Sequence, residues 1–142
     1  MKLDKEFFEG GEVLFIGYSS SNPGFSRMIY KAFTNAGLKV FPINTRQGGR
    51  GFDIKVYKSL DELPHIPKSA YVLISGKKTK DTVEQLKDKG IKRVLFHNSR
   101  LATPEALDIC AKAGIETAVA CPMMVFGSGL HKLHARIKGV NR

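Results

Sequence analysis

The chain has no tryptophan, only two cysteines, and no apolar run close to the ~20 residues that a bilayer span needs. The missing apolar run excludes a conventional transmembrane helix. The cysteines, Cys110 and Cys121, are too few for a disulfide framework and too far apart for a CxxC metal knuckle. Cys110 falls at helical spacing with Ala106 and Leu107, as a small core residue would. The N-terminus, MKLDKEFFEGGE, mixes both charge signs and lacks a signal-peptide core, so the protein is expected to be cytosolic. There is no GxSxG or HExxH, and no repeat or low-complexity segment.

What is present is a basic chain of 142 residues, 42% hydrophobic, with a net charge of +10. That length suits one domain, taken as residues 1–142. The charge fits a polyanionic partner: nucleic acid, an anionic surface or a multiply phosphorylated small molecule. The lysines are scattered and no nucleic-acid motif is visible, so general solubility accounts for most of the charge. Nucleic acid is not the favoured partner, a membrane is not expected, and a protein partner or homo-oligomer stays open.

Apolar runs alternate with helical patterns along the chain. Strands are expected at Val13–Gly17, Lys39–Asn44, Ala70–Ser75, Arg93–His97 and Thr117–Cys121, with a short edge strand at Ile54–Tyr57. Pro42 cannot donate to a ladder and is expected at a strand end or irregularity. Helices are expected at Ser26–Ala36, with Met28, Ile29, Phe33 and Ala36 near one face, at Thr79–Lys89, and at Pro104–Ala113 with a Thr103 cap. Shorter helices are expected at Leu3–Glu9 and Leu130–Lys138, and one turn at "SLDEL" capped by Ser59. The near-continuous apolar strands predict cover on both faces. The fold class is therefore α/β: a single doubly wound, mainly parallel sheet of about five strands with helices on both faces.

In such a sheet, ligands bind beyond the carboxyl ends of the strands. The loops there are Gly17–Arg27, Asn44–Gly51, Ser75–Thr79, His97–Thr103 and Cys121–Gly129. They carry or adjoin Arg27, Arg46, Arg50, Lys77, Lys78 and Arg100, which favours an anion. In the first loop, "GYSSSNPGFSR", Gly17 lets the backbone approach a ligand, and Ser19, Ser20, Ser21 and Asn22 either bond phosphate oxygens or cap the next helix. Pro23 and Gly24 are taken to shape the turn. The loop matches neither GxGxxG nor GxxxxGK[ST]. The second strand ends in Asn44, Thr45 and Arg46, without the acid that a nicotinamide site places on the ribose. An arginine there suits a phosphorylated ribose, as in NADP or coenzyme A.

Five segments together resemble a known family: "VLFIGYSSSNPGFSR", "GLKVFPINTRQGG", "VYKSLDELP", "AYVLISGKKTKDTVEQLKDKGIKRVLFHNS" and "PEALDICAKAGIETAVACPMM". In order and spacing, from Val13 to Met124, they are similar to the CoA-binding domain family. This Rossmann-like domain also forms the N-terminal part of the succinyl-CoA synthetase alpha chain. The resemblance implies a site for the ADP part of coenzyme A. Gly17, Ser19 and Ser20 would face the diphosphate, with Tyr18 also among the binding residues, followed by the basic Arg27. Asn44 and Arg46 would lie at the adenosine end. Leu73 to Gly76 would pass under the nucleotide, with Ser75, Gly76 and Lys77 at its edge. Tyr18 departs from the small residue common after the glycine, and either narrows the pocket or points into the core. Arg46 replaces a common proline. The synthetase's catalytic histidine lies in a second domain, so the resemblance transfers no catalytic role.

The expected function is non-catalytic binding of coenzyme A or a related 3′-phosphorylated adenine nucleotide. The alternatives are an NADP-linked enzyme subunit and a basic protein-interaction or nucleic-acid module. Cys121, at the last strand's end, is either a reactive thiol able to form a mixed disulfide with coenzyme A or a buried thiol before a turn-making proline. His131 and His134 lack visible further metal ligands, and His97 lacks an evident partner carboxylate.

Overall fold

A computed structural model describes residues 7–19, 23–45 and 54–126. The strands are β1 Glu12–Ile16, β2 Lys39–Ile43, β3 Ser69–Val72, β4 Arg93–Phe96 and β5 Glu116–Val119. The α-helices are α1 Pro23–Asn35, α2 Gly76–Asp88, α3 Pro104–Lys112 and α4 Pro122–Phe126. All strand pairs are parallel, in the order β2-β1-β3-β4-β5. This is the predicted α/β fold, a Rossmann-like doubly wound sheet.

Alternation along β1 divides the core. Val13 and Phe15 face α1, and Leu14 and Ile16 face the layer of α2 and α3. On the α1 side, Phe15 packs edge-on against Tyr71 at 5.0 Å and Tyr18 at 5.3 Å. Phe33 joins them at 5.4 Å from Tyr71, and Phe8 lies 5.7 Å from Phe33. Burying one such ring contributes about 1.5–3 kcal/mol, so this aromatic group anchors α1 to the sheet.

Several expected boundaries shift. Helix α1 starts at Pro23, not Ser26. Proline's fixed φ suits a first helical position, so Pro23 and Gly24 open the helix instead of shaping a turn. Helix α2 starts at Gly76, not Thr79, because Ser75 caps it by accepting from the Lys77 amide at 3.3 Å. β3, β4 and β5 each stop short of the expected ends at Ser75, His97 and Cys121. Ile54–Tyr57 is not a strand: Tyr57 makes one parallel bridge to Ile43. Its amide donates to the Pro42 carbonyl at 2.8 Å. Pro42 sits inside β2, an edge strand, with its carbonyl turned away from β1, so its missing N–H costs the β1 ladder nothing.

Met28 is 52% exposed, so the buried stripe of α1 is Ser26, Ile29, Ala32 and Phe33. Ser59 caps nothing; the Lys58 amide donates to the Glu62 carboxylate instead, at 2.9 Å. Near the N-terminus, Phe7 and Phe8 form a turn that leads into a 3-10 turn at Glu9–Gly11, not an α-helix through Glu9, and both rings are buried. Residues 1–6 and the expected helix Leu130–Lys138 lie outside the described residues. Among the described helices, none is long and apolar enough to cross a membrane.

Candidate functional site

A half-open cleft of about 400 Å³ lies at the carboxyl ends of the strands, where strand order reverses between β1 and β3. Its walls are Ile16–Ser19 after β1, Ile43–Thr45 after β2, Leu73–Ser75 after β3, and Lys78 and Thr82 on α2.

The first wall is built around Gly17, whose φ is +99°. A Cβ there would stand 2.0 Å from the Leu73 carbonyl oxygen. Glycine is thus required by the close passage of the β3 end. The amides of Gly17 and Tyr18 both donate to the Ile43 carbonyl at 3.0 Å. The Ser19 amide donates to the Ser26 hydroxyl at 2.9 Å, tying the loop to α1. Tyr18 is 1% exposed, and its ring packs against Phe15 and, at 6.3 Å, Tyr30. It therefore points into the core and leaves its backbone at the cleft. The buried Asn44 donates from Nδ2 to the Tyr18 carbonyl at 2.9 Å, joining the ends of β1 and β2.

Of the residues expected at a site, Gly17, Tyr18, Ser19, Asn44 and Ser75 meet at this cleft. Gly76 and Lys77 open α2 beside it, and Lys77 does not line it. Arg27 is exposed on α1 and is not among the lining residues. Ser20, Arg46, Arg50, His131 and His134 lie outside the described residues. Lys78 and Thr82 were not anticipated as a pair. The signal was present: once Ser75 is taken as the cap, Lys78 and Thr82 share a helix face four residues apart.

A second polar group lies under α1. The Tyr71 hydroxyl is 2.8 Å from His97 Nδ1, and the Phe25 ring stands edge-on to His97 at 5.5 Å. Burial pushes the Tyr71 phenol well above its ordinary range, and nearby Cys121 adds to this. Burial also lowers the His97 pKa, favouring neutral imidazole. Cys121 is half-buried directly before α4. Cys110 is fully buried, and its thiol is pushed up to about 11 by desolvation, which makes it inert.

The profile of a family described as CoA binding domain matches residues 12–127. The chain belongs to that family. Its members' fold recurs in solved structures. A hypothetical protein from Pyrococcus horikoshii OT3 is 22% identical with a TM-score of 0.71, the match covering 84% of this chain and 83% of that one. The cell-free ID.343 protein from Thermus thermophilus is 15% identical with a TM-score of 0.72, over 92% of this chain and 94% of that one. The dinucleotide-forming acetyl-coenzyme A synthetase 1 of Ca. Korarchaeum cryptofilum contains a similar unit: 16% identity and TM-score 0.63 over 80% of this chain, but only 26% of the synthetase. No curated protein matches the chain.

Proposed function

We propose that this CoA-binding-domain protein binds coenzyme A, or a similar 3′-phosphorylated adenine nucleotide, without catalysing its conversion. The observation that carries this reading is the cleft at the β1/β3 switch point, bordered by Gly17–Ser19, Asn44 and Ser75. Its volume falls within the ~300–1,000 Å³ typical of small-molecule sites. The second strand is followed by Asn44 and Thr45 without a carboxylate, which suits a ribose bearing phosphate. By the resemblance, Ser20, Arg27 and Arg46 would add to the diphosphate and adenosine contacts, and Gly76 and Lys77 would lie at the nucleotide's edge. Among the described lining residues, Lys78 alone carries charge, which suits an anionic ligand.

Titration calorimetry with coenzyme A, acetyl-CoA, NADP and ATP tests the reading. Coenzyme A and acetyl-CoA are expected to bind more tightly than ATP. If no nucleotide binds at millimolar concentration, the assignment is wrong.

A further inference from the structure

Three of the polar residues at the cleft are already engaged in building it. The Ser19 amide is held by Ser26, the Ser75 hydroxyl by the α2 amide of Lys77, and the Asn44 side-chain amide by the Tyr18 carbonyl. The other polar side chains of the lining are those of Ser19, Thr45, Lys78 and Thr82. Lys78 is the one charged residue among the described lining residues, and no carboxylate lines the cleft with it. Asp81, one turn on, makes no ion pair with Lys78, whereas Lys87, Lys89 and Lys112 each have a carboxylate partner. Lys78 and Thr82 sit about 6 Å apart along α2, on one face. Thr45 follows the end of β2, where a ribose is expected in this sheet order.

We propose that Lys78, supported by Thr82, receives the phosphate on the adenosine ribose and makes the cleft selective for phosphorylated over dephosphorylated nucleotide. This rests on the nucleotide reading above. A Lys ammonium offers three donors to phosphate oxygens, and a threonine hydroxyl one more. Lys78 is exposed on α2, so its substitution leaves the core intact.

Calorimetry on the whole chain and on Lys78→Gln, with coenzyme A and 3′-dephospho-CoA, is the test. The wild type should prefer coenzyme A. Lys78→Gln should weaken coenzyme A roughly tenfold and leave dephospho-CoA unchanged, so that the preference collapses. Thr82→Val should reduce it in the same sense by a smaller factor. The pair NADP and NAD, titrated in parallel, reports whether a 2′-phosphate is accepted as well. Equal weakening of coenzyme A and dephospho-CoA would overturn the assignment, placing Lys78 at the diphosphate. No weakening of either, or a wild type with no preference, would overturn it too. A wild type that binds none of the four ligands would remove the nucleotide reading itself.

Discussion

Gly17 lies where the chain leaves β1, with a positive φ and no room for a methyl group against Leu73. The contact is with backbone, which cannot rotate aside. Gly17→Ala is therefore expected to cost about 2–3 kcal/mol or more, combining left-handed strain with the clash. Urea unfolding should show a lower midpoint with an unchanged slope; a midpoint equal to wild type would disprove the packing argument. Tyr18 shows the complementary case. A large residue is accepted beside the cleft because its ring is buried between Phe15 and Tyr30.

At the scale of elements, the caps decide where helices begin, and so which side chains reach the cleft. Thr103 accepts from the Ala106 amide at 3.2 Å and Ser75 from that of Lys77, whereas Ser59 makes no such bond. Thr103→Ala and Ser75→Ala should each cost about 1 kcal/mol, and Ser59→Ala less than about 0.5 kcal/mol. Equal effects at all three positions in chemical denaturation would contradict the cap assignments. The early start of α2 moves Lys78 from the expected loop onto the helix, where it shares a face with Thr82 at the cleft.

For the molecule as a whole, acid acts through at least two separate groups among the described residues. Burial holds the His97 pKa below its ordinary 6.5. As pH falls past about 6.5, the unfolded chain takes up that proton first, so stability declines until the native pKa is passed. The contribution is complete above about 6.5 and is lost on the acid side. The hydrogen bond from Arg93 holds the Glu9 carboxyl below its ordinary 4.5, so its contribution is complete above 4.5 and is lost at lower pH. Melting temperature should therefore fall between about pH 7 and pH 5.5, and His97→Gln should flatten that limb. Parallel curves for the two proteins would exclude His97 as the cause.

The alternation of apolar runs with helical patterns, and the family, were legible in the chain itself. Local rules suffice for these: Thr103-Pro104 starts a helix, Gly114 follows its end, and apolar strands demand cover on both faces. Helix α1's extra turn and the single bridge at Tyr57 were not legible, since each depends on what neighbouring segments offer. Tertiary structure alone decided that Gly17 makes room for Leu73 and that the Tyr18 ring belongs to the core. It also engaged Ser19, Asn44 and Ser75 in holding the cleft together. The physical reason is that a residue's type and spacing are local properties, whereas which of its hydrogen bonds remain for a ligand depends on segments distant in sequence.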